Sequence, residues 1–506
     1  MQNTLVQLLH DSVKRFPQKT AVMQGEKTLT YIELWEKACG VAHYLLRNKF
    51  KNNDKACLLL DNSAEYIIAY YGVLIAGGSV IGLNTAAKSR DLVNWIEHSD
   101  SKFVFASIHH AEVNDVLDNL PANRCQFIFI GSEITKENYH NWNQIQMNSN
   151  FPESCNGWIP DEKLASIIYT SGTTGKPKGV MLSHTNLYEN IVSILTYLKL
   201  NNNDSIVNVL PFYYSYGNSV LHSHLAAGAT LILENSMLYP QKILSVLADK
   251  KVTGFSGVPS TFNLILNRTK LCDFDLTSLR YMTQAGGPMA PANVERLKKE
   301  LPDIDFFIMY GQTEASARLS YLPPEQLENK PGSIGKAIPG VQLEIRDENQ
   351  KAVSISETGE IYAYGKNIML GYWKDKEATS SVIYDGWLKT GDLAYQDEDD
   401  YFYIVGRSTD MIKSGAHRIS PKDIEEVILE LDGVEEVAVI GVSDVLLGQI
   451  IKAVVVIAPG YTLDKMQLMR HCKENLASYK LPKNIEFKDE IPKTASGKIR
   501  RFMLEK

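Results

Sequence analysis

At roughly 150 residues per domain, the 506-residue chain predicts about three domain-sized units or two unequal ones. Hydrophobic residues make up 44% and charged residues 22%, with 33 Gly and 19 Pro, which excludes a disordered, collagenous or low-complexity chain. Lys plus Arg (52) against Asp plus Glu (59) leaves a net charge of −7, so the protein as a whole does not attract nucleic acid or anionic lipid, and any anion site is local.

The N-terminal stretch reaches Asp11 and Lys14 before a signal-peptide core can form, and the most apolar run, Ile67 to Leu83, is broken by Gly72, Gly77, Gly78 and Gly82. A cytoplasmic protein with no transmembrane segment is expected. Strands are predicted at Lys55 to Leu60, Phe103 to Ala106, Phe127 to Ile130, Ile206 to Leu210 and Thr230 to Leu233, with a helix at Ala64 to Ala76. Between Ser183 and Leu200, the positions Leu187, Ile191, Ile194, Leu195 and Leu198 recur at helical spacing behind a Ser/Thr start signal. Alternating strands and helices predict an α/β fold with largely parallel sheets in layers. Six cysteines (Cys39, Cys57, Cys125, Cys155, Cys272, Cys472) lie far apart without a Cys-x-x-Cys pair, as reduced buried thiols do. His222 and His224 fall on what reads as a strand, where they would point to opposite faces; a structural role is expected.

Near residue 406 the pattern changes. Leu393 to Tyr395 and Tyr401 to Val405 form a hairpin pattern joined by Asp397-Glu398-Asp399-Asp400, read as a solvated turn. Ser420 is placed as a helix cap, with Pro421 in the first turn and Asp423 three residues on; Gly433 ends that helix. Two β-rich runs follow (Val434 to Val442, Ile451 to Ile457), then a helix (Leu463 to Leu476) and a strand near Asn484 to Phe487. This divides residues 1–406 from a compact α+β unit, 407–506, across a hinge at 406–410.

The strongest local signal is Tyr169-Thr170-Ser171-Gly172-Thr173-Thr174-Gly175-Lys176-Pro177-Lys178-Gly179. Its glycines let backbone N–H groups approach a ligand, and its hydroxyls and two ammonium groups are donors suited to a polyphosphate. A Walker A loop is excluded, because five residues on from Gly172 stands Pro177.

This segment resembles the phosphate-loop signature of the adenylate-forming superfamily: acyl-CoA synthetases, adenylation domains and luciferases. Six further segments match that superfamily in order: Gln284-Ala285-Gly286-Gly287-Pro288, Tyr310-Gly311-Gln312-Thr313-Glu314, Gly332-Ser333-Ile334-Gly335, Lys389-Thr390-Gly391-Asp392, Val405-Gly406-Arg407 and Pro492-Lys493-Thr494-Ala495-Ser496-Gly497-Lys498. The resemblance covers essentially the whole chain. It implies ATP-dependent activation of a small carboxylic acid to an acyl-adenylate, then transfer to the thiol of coenzyme A or to the phosphopantetheine of a separate acyl carrier protein.

By the same resemblance, Thr170, Ser171, Gly172, Thr173, Thr174, Gly175, Lys176 and Lys178 would hold the β- and γ-phosphates. Glu314 would hold Mg²⁺, and Thr313 would bond the α-phosphate. Tyr310 would stack on adenine beside Gly311 and Gln312, while Gly286, Gly287 and Pro288 would read the base edge. Asp392 would bond the ribose hydroxyls, and Arg407 ribose or phosphate. Lys498 would be the catalytic lysine of adenylation. After rotation of the small domain, Gly415 would line the pantetheine tunnel and Arg418 would meet phosphate; His417 is read as a surface residue. The hinge position, commonly Asp or Lys in the family, is Thr409.

Tyr213, Tyr214 and Tyr216 in Pro211-Phe212-Tyr213-Tyr214-Ser215-Tyr216-Gly217, with Gln284, would border the acid. Many relatives carry His where this chain has Tyr214. Peptide-synthetase domains for α-amino acids usually place an Asp in this segment to pair the substrate ammonium; Phe212 to Leu221 contains no carboxylate, so the resemblance disfavours an α-amino acid. The tyrosines suit short, medium and aromatic acids equally. A luciferase-like oxygenase and a non-catalytic nucleotide binder are the ranked-down alternatives.

Overall fold

The computed structural model describes residues 3–121, 124–131, 139–147, 163–170, 178–407, 410–414, 417–444, 447–493 and 499–504. Two large sheets dominate. One runs Gly371–Tyr372, Lys178–Ser183, Leu164–Thr170, Ser79–Gly82, Lys55–Leu59, Phe103–Ser107, Gln126–Ile130 and Tyr139–Asn141. The other has six parallel-paired strands, from Asp305–Tyr310 through Tyr281–Gln284, Gly254–Gly257, Ser205–Asn208 and Thr230–Leu233 to Thr20–Gln24, with antiparallel strands at both edges. The apolar character of Lys55–Leu59 follows from its place: Cys57 and Leu59 pack on one face of the sheet and Ala56 and Leu58 on the other.

Helices fill the space between the sheets. Ala64–Ile75 is buried almost all round. This explains the apolar run starting at Ile67: helix and following strand lie inside a layered core. Among the described residues no helix is long and apolar enough to cross a membrane. Ser183 caps His184–Leu198 in a reciprocal capping box with Asn186.

The segment carrying His222 and His224 is not a strand. It is the buried helix Ser215–Ala227, closed by Gly228 in the left-handed region. Both imidazoles are partnered inside the core, His222 Nδ1 with the Tyr71 hydroxyl at 2.8 Å and His224 Nε2 with the Tyr281 hydroxyl at 2.6 Å. Burial pushes their pKa values down to about 3 and about 4. Cys39, Cys57 and Cys472 are buried as expected; Cys272 is instead exposed.

A third, antiparallel sheet joins Val341–Arg346, Gly359–Gly365, Trp387–Gln396, Ile383–Tyr384 and Phe402–Arg407. At the acidic tip, Lys330 Nζ bonds Asp397 at 2.8 Å and Asp399 at 2.5 Å. The C-terminal unit has its own sheet, in which Val434–Asp444 pairs antiparallel with Gly448–Ile457, and Asn484–Phe487 runs parallel to the latter. Helices Pro421–Leu429 and Lys465–Asn475 cover one face over Val437, Val439, Ala453 and Val455. The alternate residues Ala438, Ile440, Val454 and Val456 meet Ile491 and Leu504 on the other.

Ser420 precedes its helix but does not cap it with its side chain. Its hydroxyl donates instead to Val405 O, and Lys422 Nζ donates to Ile404 O at 2.9 Å. The start of this helix is therefore tied to the strand entering the inter-domain segment. Arg268 and Glu435 make a further bridge between the units at 3.1 Å.

Candidate active site

A cavity of about 810 Å³ opens where the two large sheets and the third sheet meet, a volume suited to a nucleotide and a small acid. At one end, the antiparallel strands Leu164–Thr170 and Lys178–Ser183 bring Thr170 and Lys178 side by side in register. Both line the cavity. Their connecting loop contains Ser171, Gly172, Thr173, Thr174, Gly175 and Lys176, which lie outside the described residues. Lys178 Nζ sits 4.8 Å from the ring centroid of Tyr372, whose hydroxyl donates to Glu314 Oε1 at 2.9 Å. Burial and the Glu314 carboxylate raise the Tyr372 pKa far above the phenol range, so the hydroxyl stays a donor.

Glu314 follows strand Asp305–Tyr310 on the short turn Thr313–Ala315. The chain doubles back tightly there: a Cβ on Gly311 would stand 2.0 Å from Ala317 O, so only glycine fits. Gly311, Gln312, Thr313 and Glu314 all face the cavity. Thr313 Oγ1 lies 3.2 Å from Ser215 Oγ, which joins the motif to the N-terminus of the buried helix.

On the third sheet, Thr390, Gly391 and Arg407 line the cavity. Asp392 stands just behind them, 6% exposed. It accepts from Arg407 Nε at 3.0 Å and from the Tyr310 hydroxyl at 2.7 Å. The Asp392 carboxylate raises the Arg407 pKa, while burial followed by Asp392 raises that of Tyr310. Tyr310 and Asp392 are thus tied to each other beside the cavity-lining Gly311, Gly391 and Arg407. The Asp392 oxygens keep further lone pairs for ribose hydroxyls.

Gly286 lines the cavity with φ +91°, while Gly287 and Pro288 are exposed beyond it. Gln284, expected beside the acid, is instead fully buried and donates through Nε2 to Gly287 O at 2.7 Å, propping the glycine turn from below. Tyr213, Tyr214 and Tyr216 do form a wall of the cavity. The Tyr213 and Tyr214 rings are 4.6 Å apart, and burial pushes the Tyr213 phenol up to about 12. The Tyr216 hydroxyl donates to Thr283 O at 2.9 Å, so its ring rather than its polar end faces a ligand.

Lys498, Gly415 and Thr409 lie outside the described residues. Arg418 is placed by its backbone, paired with Lys413, and His417 is exposed with its ring stacked on Tyr479 at 4.2 Å. Tyr372, Glu360 and Arg318 are among the lining residues that belong to no segment the sequence singles out. Glu360 accepts from Gly391 N at 2.9 Å and fixes the turn ahead of Asp392. Antiparallel pairing of distant strands brings Tyr372 and Glu360 to the site, and Arg318 follows the Tyr310–Glu314 segment directly.

Thr170 with Lys178, the Glu314 carboxylate, Arg407 backed by Asp392, and a wall of tyrosines thus converge on one cavity in a chain of two unequal units. The AMP-binding enzyme family model matches residues 9–373, and the model of the AMP-binding enzyme C-terminal domain matches residues 423–498. The chain belongs to the AMP-binding enzyme family. It is 31% identical to a long-chain-fatty-acid–CoA ligase of Bacillus subtilis, covering 99% of this chain and 94% of that protein. It is 32% identical to a 2-succinylbenzoate–CoA ligase of Bacillus licheniformis, covering 96% and 97%. The crystal structure of the anthranilate CoA ligase AuaEII with anthranoyl-AMP superposes with a TM-score of 0.92 at 26% identity, covering 99% of this chain and 96% of that one. The o-succinylbenzoate CoA synthetase of Bacillus subtilis with its acyl-adenylate OSB-AMP superposes at 0.86 and 27% identity, covering 99% and 98%.

Proposed function

We propose that this protein is an AMP-forming acid–CoA ligase, working in the cytoplasm on a small carboxylic acid. The observation that carries the reading is the convergence of Thr170 and Lys178, Thr313 and Glu314, and Gly391 and Arg407 with the tyrosine wall around a single cavity. Full-length relatives named as CoA ligases, two of them solved with acyl-adenylates, support it.

In the first half-reaction a carboxylate oxygen attacks the α-phosphorus of ATP and pyrophosphate leaves, giving the acyl-adenylate. In the second, the thiol of coenzyme A attacks the acyl carbonyl, and AMP leaves. Both reactants of the first step are anions, so the protein's task is to hold them in line and neutralise the leaving group. Lys178 and the loop before it take the outer phosphates, and Thr313 donates to the α-phosphate. Glu314 fits Mg²⁺: it is a hard oxygen ligand facing the cavity, oriented by Tyr372 and in no ion pair with a described cation. Mg²⁺ commonly takes one or two carboxylates plus phosphate oxygens, and its chemistry there is charge neutralisation.

The two steps use two faces of the small domain, exchanged by rotation about residues 406–410. Lys498 serves the first and Gly415 with Arg418 the second. Lys498→Ala is expected to lose several powers of ten in adenylation, each about 1.4 kcal/mol, yet still convert a supplied acyl-adenylate. Gly415→Leu is expected to keep pyrophosphate exchange and lose thioester formation. Rates of the separate half-reactions check both; near-normal exchange in the lysine variant, or equal loss of both steps in the glycine variant, refutes the division. A carrier protein's phosphopantetheine presents the same thiol as coenzyme A, and offering each with labelled acid decides between the acceptors.

A further inference from the structure

The cavity also holds a cation that the two half-reactions do not use. Arg318 lines it while being only 3% exposed. Its guanidinium carbon lies over Tyr216, 4.2 Å from the ring centroid, and its Nε donates to Met309 Sδ at 3.3 Å. Among the described residues no carboxylate lies within ion-pairing distance of it. Other, partly exposed arginines are matched by carboxylates: Arg280 with Asp204 at 3.0 Å, Arg346 with Glu344 at 2.8 Å and Arg501 with Glu425 at 2.5 Å. Arg318 is among the residues that line the cavity, and the Tyr197 hydroxyl lies beside its side chain.

The backbone holds this side chain in place. The Nδ2 groups of Asn190 and Asn367 both donate to Arg318 O at 3.0 Å. Ser316 and Ala317, immediately before it, have φ values of 62° and 148°, a costly conformation for residues with a Cβ. Strained backbone of this kind clusters at active sites and ligand clamps, and a buried charge without a counter-charge is costly.

That group is an anion, and the reacting carboxylate is a poor match for it. Once adenylated, that carboxylate is a neutral acyl carbonyl, and a cation set to bind it would be stranded for the second half-reaction. We infer that Arg318 selects acids carrying a second anionic group away from the reacting carboxylate, a dicarboxylic acid being the simplest. The Tyr216 ring, 4.2 Å from the guanidinium carbon, adds a cation–π contact that leaves the guanidinium's capacity to donate to an anion. Val258 and Leu264 line the same cavity and supply apolar surface for the carbon chain between the two ends.

This inference rests on the acid-activating function proposed above, and the test separates the two. Acid-dependent pyrophosphate exchange is measured on the full chain with matched pairs: hexanoate and adipate, octanoate and suberate, 3-phenylpropanoate and 3-(4-carboxyphenyl)propanoate. The wild type is expected to favour the diacid in kcat/KM by roughly tenfold or more in at least one pair, since a site built around a charge rejects the analogue that leaves it unpaired. Arg318→Met is expected to abolish that preference and improve the monoacid, while Arg318→Lys keeps part of it. A wild-type preference for the monoacid in every pair overturns the inference, as does an equal loss for both acids in Arg318→Met or a preference surviving in that variant. The wild-type ratio needs no folded variant. Exchange with no acid at all would strike the acid-activating function itself.

Discussion

Glu314 and Tyr372 form the contact on which the phosphate end turns. Glu314→Gln removes the charge but keeps the shape, and is expected to lower adenylation by about a hundred- to a thousandfold, in the range seen for other preorganised electrostatic groups. Tyr372→Phe leaves the carboxylate unoriented. It is expected to cost about tenfold, the worth of one hydrogen bond to a charged group, and to raise the Mg²⁺ concentration needed for half-maximal rate. A Mg²⁺ titration of exchange by the two variants checks this, and an unchanged requirement in both would remove Glu314 from the metal role. The carboxylate was legible in the sequence because it sits in Tyr310-Gly311-Gln312-Thr313-Glu314. Tyr372 was not: it reaches the site through the antiparallel pairing of Gly371–Tyr372 with Lys178–Ser183. Arg318 lies only four residues beyond the motif, but burial and the lack of a carboxylate partner are tertiary facts.

At the scale of elements, the strand–helix alternation was readable to within a residue or two at Lys55–Leu59, Ala64–Ile75 and Thr230–Leu233. The exception is Ser215–Ala227. This helix is buried on every side, so its sequence lacks the apolar stripe that announces a helix at a surface. Two of its buried residues, His222 and His224, together with His184 give a pH dependence of stability. Unfolded, each imidazole takes its proton near 6.5; folded, burial holds them neutral down to about 3, about 4 and about 3. Between those values the unfolded state binds more protons, so stability falls as pH drops below about 6.5. Each histidine is expected to remove about 2 kcal/mol by about pH 5. Urea unfolding at pH 7 and pH 5 checks the sign; equal or greater stability at the lower pH would contradict it.

At the scale of the molecule, the net charge of −7 coexists with a cavity lined by Lys178, Arg318, Lys389 and Arg407. Charge counting argues against a polymeric anion as partner and has no bearing on a small one such as ATP. Among the described residues the C-terminal unit is joined to the rest by Ser420 and Lys422 on strand Phe402–Arg407 and by Arg268 with Glu435. Such an interface is compatible with rotation between two working positions. The most direct test is the nucleotide product: the purified protein, given ATP, Mg²⁺ and a panel of mono- and dicarboxylic acids with and without coenzyme A. The account predicts AMP and pyrophosphate in an acid-dependent reaction, with acyl-CoA only when coenzyme A is added; ADP and phosphate, or AMP release indifferent to the acid, would contradict it.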